Sequence, residues 1–168
     1  MQLQPGDIFA SSNPQMLGRL IDFIETIKSR DNDAEYGHTG IIIKEDGTTV
    51  EALWSITTQN LFKDYKGQKV LIARWTGMTP DAYQKGFGAI KCHIGSVYPY
   101  YRLLLHALGI GKFIHFKTPV CSELTQKFLI NACATTISGK TFWGLTPDDL
   151  VDEWRVSRYF QLIYEGTL

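Results

Sequence analysis

Cysteine is scarce in this chain and scattered. Cys92, Cys121 and Cys133 are the only three among 168 residues, and no two stand at CxxC spacing. An odd count without paired spacing argues against a disulfide framework and against a structural zinc site, whose ligands come in close pairs. Nor does His, in combination with Cys92, show any spacing logic for metal ligation, so no metal and no cofactor is expected. An excess of one charge sign is missing as well: 17 Lys plus Arg balance 17 Asp plus Glu. Binding to nucleic-acid phosphates or polybasic attachment to a membrane both draw on a basic surplus, so neither partner is expected. No apolar run approaches the roughly 20 residues of a membrane span, so stable membrane insertion is not expected either. The opening MQLQPGDIFASSNP has no basic segment followed by an apolar stretch, which is unlike a signal peptide. The expectation is therefore a cytoplasmic, reduced protein with free thiols. Repeats, low-complexity tracts and long Pro/Gly/Ser linkers are also lacking, and one domain over residues 1–168 is the economical reading.

What is present is an ordinary globular composition, 44% hydrophobic and 20% charged, on a chain long enough to bury a core. GDIFA (6–10) reads as a short strand. Asn13 and Pro14 then open an amphipathic helix to about residue 29, with Met16, Leu17, Leu20, Ile21, Ile24 and Ile27 at helical spacing. After the polar loop 29–37 come a strand HTGIIIK (38–44), a turn at Glu45-Asp46-Gly47, and a returning strand TTVEAL (48–53). QKVLIARW (68–75) is another strand. Thr79 caps and Pro80 starts a helix on which Tyr83, Phe87 and Ile90 share a face. Residues 93–112 read as a turn and a short apolar helix. Thr118-Pro119 opens a helix whose inner face carries Cys121, Leu124, Phe128 and Ala132. Thr146-Pro147, with Asp149 three residues after the threonine, starts a last short helix with a capping-box pattern. SRYFQLIYE (157–165) closes the chain as a strand. The sum is an α+β fold, an antiparallel sheet packed against helices.

Three residues in this frame have the chemistry of a nucleophilic site. Cys121 sits in the first turn of its helix, where unpaired backbone N–H groups and the helix dipole favour a thiolate and can bind a developing oxyanion. A structural cysteine is equally at home in a core, as Cys133 is in FLINACATT. His38 begins an isoleucine-rich strand and has the type of a base that takes a thiol proton and returns it to a leaving group; a satisfied structural histidine is the other reading. Glu51 is the one carboxylate in the run Val50-Glu51-Ala52-Leu53. With Asp46 and Gly47 as a two-residue turn, Ile42 pairs with Glu51 and Gly40 with Leu53. His38 then shares a face with Glu51 but stands four residues from its partner, too far for contact without a bulge, a bend or another register. A solvated surface glutamate is the alternative. Cys92 and His93 are adjacent and point apart on a helix, and His106 and His115 read as core or loop residues. The aromatics Trp54, Trp75, Tyr98, Tyr100 and Tyr101 are mostly core by type, with one or two lining a groove.

The order of these motifs is more informative than any of them singly. GDIF, YGHTGIII, VEAL, IARW, GSVYPYY and VCSEL together resemble the circularly permuted NlpC-type papain-like hydrolases, in particular the YiiX/YebB-like branch related to lecithin:retinol acyltransferase. The resemblance covers roughly residues 5–150. Histidine precedes cysteine here, as in the permuted group. The resemblance implies a permuted papain-like fold with the nucleophile at a helix N-terminus. It matches Cys121 to the nucleophile, His38 to the general base and Glu51 to the residue orienting the histidine. Tyr98, with Tyr100 as an equal alignment, matches a tyrosine near the site, and Trp54 is placed with them as substrate-binding. The implied activity is hydrolysis of an amide or peptide bond through a thioester acyl-enzyme, on a peptide, amide or acyl-bearing substrate. Thiol acyltransfer or lipid deacylation, and a noncatalytic binding module on the same fold, are the alternatives.

Overall fold

A computed structural model of the protein describes residues 1–12, 35–97, 121–132 and 145–168. The expected helix from Pro14, the helical part of 93–112 and the Thr118-Pro119 helix start lie outside the described residues, as do Tyr98, Tyr100, Tyr101, His106, His115 and Cys133. Among the described residues the elements are β1 (Ile8–Ser11), β2 (His38–Ile42), β3 (Thr48–Ala52), β4 (Ile56–Asn60), α1 (Leu61–Asp64), β5 (Lys69–Trp75), α2 (Pro80–Lys91), α3 (Cys121–Asn131), α4 (Pro147–Val156) and β6 (Phe160–Thr167). The six strands form one sheet in the order β4-β3-β2-β1-β5-β6, and every neighbouring pair is antiparallel.

The helix starts follow the capping chemistry of the sequence. The Thr79 side chain accepts from the Ala82 N–H ahead of Pro80. Thr146 and Asp149 cap each other reciprocally ahead of α4, satisfying donors that the first turn leaves without partners. β4 and the single-turn α1 were not expected. Their sequence, ITTQN followed by LFKD, lacks the strict alternation that marks a half-buried strand.

Alternation along the strands divides the apolar side chains between two cores. Ile8, Ala10, Ile41, Val50, Ala52, Leu71 and Ala73 face α2, α3 and α4, joining Ile90, Leu124, Phe128, Leu150 and Trp154. Phe9, Ile42, Val70 and Ile72 face the other way, onto Leu3, Leu61 and Tyr65. The inner face expected for α3 is buried as read: Cys121, Leu124, Phe128 and Ala132 are all in the interior. Gly86 lets α2 and α3 approach closely, since a Cβ there would stand 2.8 Å from the Phe128 ring and carbonyl.

Two motifs noted in the sequence, GDIF and IARW, meet in one ion pair. The Arg74 guanidinium forks onto buried Asp7, Nε donating to Oδ1 at 2.7 Å and Nη2 to Oδ2 at 2.8 Å, the bidentate geometry in which Arg–carboxylate pairs are strongest. The pair ties the start of β1 to β5.

Candidate active site

The β2–β3 hairpin departs from the expected register in a way that decides the site. Gly40 pairs with Glu51, Ile41 with Val50 and Ile42 with Thr49. The expected pairing of Ile42 with Glu51 is displaced because the turn is wider than two residues. Ile43 N–H donates to Thr48 O at 2.8 Å and Gly47 N–H to Lys44 O at 3.1 Å, so Lys44–Gly47 form the loop. Asp46 Oδ1 accepts from both the Thr48 N–H, at 2.9 Å, and its hydroxyl, at 2.6 Å, an aspartate side chain substituting for a backbone turn. Gly47 takes φ +84°, a conformation that glycine adopts without steric cost.

With this register His38 lies one strand period from the residue opposite Glu51. Such diagonal neighbours have Cα atoms roughly 7–8 Å apart, within reach of long side chains. Glu51 spans the gap across Gly40, and only glycine leaves the space: a Cβ on Gly40 would lie 2.7 Å from Glu51 Cγ and 2.6 Å from Phe9 Cε1. The contact is direct, His38 Nε2 donating to Glu51 Oε2 at 3.0 Å, with both side chains buried.

Glu51 holds two further donors. Tyr65, which ends α1, donates its hydroxyl to the same Oε2, and Thr49 donates to Oε1. A carboxylate in the interior is tolerated when its oxygens are satisfied in this way. Tyr65 and Thr49 were not recognised in the sequence. Thr49 was findable, since it stands two residues from Glu51 on one strand and so shares its face. Tyr65 lies in LFKDYKGQ, where no local pattern marks it.

Cys121, at the start of α3, stands near enough to the His38 ring to act on its protonation. Burial alone would push the imidazole pKa down; its interactions with Cys121 and Glu51 outweigh that and hold the ring up at about 10. Thr125, one turn further along α3, donates to Thr39 at 3.2 Å and seats the helix on β2. The chain entering His38 is fastened on both sides. Glu35 and Tyr36 donate their N–H groups to Asp148 Oδ1 at 3.2 Å, and Gly37 donates to Ser11 O at 3.1 Å. By strand alternation His38 belongs to the Phe9–Tyr65 face, whereas Cys121 packs in the helical core. α3 runs beside the start of β2, where Thr125 meets Thr39 next to His38.

The structure thus brings together Cys121, His38 and Glu51. Trp54 stands apart from the core reading of the aromatics: it is 61% exposed in the β3–β4 turn, at the sheet end that also carries His38. Cys92 is exposed and unpaired, and His93 Nε2 is 2.6 Å from Lys127 Nζ, away from Cys121.

Comparison with known proteins bears on the fold alone. No protein-family model matches the chain, and no curated protein matches it in sequence. Among solved structures it is similar to the metalloprotein YiiX from Escherichia coli O157:H7, DUF1105, with a TM-score of 0.69, 16% identity and 100% of both chains covered. The chain has a YiiX-like α+β fold.

That neighbour is called a metalloprotein, which invites a test of the residues here. Among the described residues no group of three or more His, Cys, Asp or Glu side chains could hold a metal ion. Glu51, the buried carboxylate of the site, already accepts from three protein donors. Among the described residues, this donor set does not fit a resident metal. Among the described residues, no helix is long and apolar enough to cross a membrane.

Proposed function

We propose that the protein is a cysteine hydrolase that cleaves an amide or peptide bond through a thioester acyl-enzyme. The observation that carries this reading is the buried His38 ring bonded to the Glu51 carboxylate, with Cys121 near enough to act on its protonation. Each imidazole nitrogen has one in-plane site. Glu51 engages Nε2 and fixes the ring's orientation, which leaves Nδ1 as the nitrogen proposed to serve the thiol.

In the proposed reaction the thiol proton already resides on His38, which is held protonated at neutral pH, and Cys121 Sγ attacks the carbonyl carbon as the thiolate. Backbone N–H groups near Cys121 stabilise the oxyanion. The tetrahedral species collapses as His38 hands its proton to the leaving amine, giving the thioester. Water then attacks the thioester with His38 as base, releasing the acid and restoring the thiolate. The ordered motifs GHTGI, VEA and CSEL, with their resemblance to permuted papain-like hydrolases, support the same assignment. Trp54, Tyr98 and Tyr100 are the proposed substrate contacts. Free thiols at Cys92 and Cys121 suit a reducing, cytoplasmic setting.

Competitive alkylation tests the nucleophile. Burial alone makes Cys121 slower than exposed Cys92 toward iodoacetamide at pH 7; an activated Cys121 reacts faster. Equal or slower reaction removes the nucleophile and leaves a binding module. A fluorogenic amide and a lipid ester supplied side by side then identify the bond cleaved. Cys121→Ser and His38→Ala should each abolish turnover while leaving the circular dichroism spectrum folded.

A further inference from the structure

Glu51 Oε2 is asked to serve two donors at once, and the second of them is outside the Cys121–His38–Glu51 row. Tyr65 donates to the oxygen that accepts from His38 Nε2. The tyrosine is not free to wander. Its ring lies nearly parallel to the His38 ring, at 12° with centroids 6.3 Å apart, and Phe9 packs against it edge-on at 5.2 Å. Leu3, Leu61, Val70 and Ile72 complete its surroundings. The hydroxyl is therefore delivered to Glu51 by the packing of the smaller core.

Two donors on one carboxylate oxygen compete. Each draws on the same negative charge, so each bond is weaker than it would be alone. Thr49 draws on the other oxygen and competes less directly. We propose that Tyr65 is a positioning residue whose hydroxyl, by sharing Oε2, limits how tightly Glu51 holds the proton on His38. The ring must give up that proton to a leaving group, so an imidazolium held too firmly is a poor acid. This refinement rests on the hydrolase reading for its purpose, but the effect on His38 does not require catalysis.

The titratable groups facing His38 are Glu51 from β3, Cys121 from α3 and Tyr65 from the end of α1, with Asp64 beside Tyr65. β1 contributes Phe9 and Ser11, which do not titrate in the range concerned. Removing the Tyr65 hydroxyl thus leaves Cys121 and Glu51 as the groups that set the ring.

Tyr65→Phe keeps the ring and its packing and removes only the donor. The His38 imidazole is followed by NMR against pH, without substrate, in the wild type, in Tyr65→Phe and in Thr49→Val. The expected result is an upward shift of the His38 midpoint in Tyr65→Phe of about 0.5–1 pH unit, a gain of about three- to tenfold in proton affinity, with a smaller shift in Thr49→Val. A midpoint that stays put, or moves down, overturns the proposal; a purely structural tyrosine would lower the melting temperature with the midpoint unmoved. Because no substrate is present, absence of hydrolase activity in the wild type would not produce either result.

Discussion

Gly40→Ala places a methyl group where the Glu51 side chain crosses from β3 to His38. The built Cβ meets Phe9 Cε1 at 2.6 Å and Glu51 Cγ at 2.7 Å. Carbon atoms in comfortable contact stand about 3.5–4.0 Å apart, so each neighbour has to retreat by about 0.8 Å or more. Phe9 is hemmed in by the smaller core, and Gly40 is paired on both sides, with Phe9 and with Glu51, which leaves little slack. Overpacking of this kind costs about 1–3 kcal/mol. For a chain of this length that is a fall in melting temperature of about 2–12 °C. The site should suffer more than the fold. A retreat of that size at Glu51 carries Oε2 away from His38 Nε2, now 3.0 Å distant, beyond hydrogen-bond range. A misplacement on this scale costs about 100-fold in rate. The assay is thermal unfolding alongside the Cys121 alkylation rate, with Gly88→Ala as control: nothing lies within 4 Å of a Cβ at Gly88. Alanine in the middle of α2 should raise stability there by about 0.5–1 kcal/mol. A Gly40→Ala protein as stable as the wild type, with its alkylation rate intact, would refute the claim that glycine is what lets Glu51 reach the histidine.

Further outcomes follow from the pairings. The folded state holds the His38 proton more tightly than an unfolded chain does, about 10 against 6.5. The stability His38 contributes is then complete below pH about 6.5 and lost as pH rises through about 10. Urea midpoints should fall across that window in the wild type and fall less in Glu51→Gln, which removes one of the groups holding the ring protonated; equal slopes would contradict the linkage. Thr146→Ala deletes both hydroxyl bonds of the α4 capping box and should cost about 1 kcal/mol, seen as a melting temperature lower by about 2–4 °C with the alkylation rate unchanged.

How far the sequence could be read depends on the range of the interaction concerned. Local signals were reliable: Thr79-Pro80 and Thr146-Pro147 with Asp149 start helices because the capping bonds lie within three residues. The hairpin was recognised but its turn was not, because Glu-Asp-Gly also fits a four-residue loop closed by the Asp46 side chain. The error was two residues, and two is the strand period. The face of every side chain therefore survived the slip, and Glu51 stayed on the side of His38 while its distance was overestimated. β4 carried Thr, Gln and Asn in place of an apolar alternation and passed unnoticed. Tyr65 is fourteen residues from Glu51, and no periodicity within one element records that meeting. Gly40 is legible only after the register is known, since its role is the room it leaves for a neighbour's side chain.

The two cores on opposite faces of the sheet give the Cys121–His38 pairing a second meaning. Each partner is delivered by a different packing event: the thiol arrives when α3 seats on β2, the imidazole when Phe9 and Tyr65 close beneath the sheet. A chain with only its helical layer assembled would carry a cysteine without a base, and one with only the smaller layer a base without a cysteine. In the proposed reading the pairing of Cys121 with His38 therefore depends on both layers of the fold, α3 on one face of the sheet and Phe9 and Tyr65 on the other.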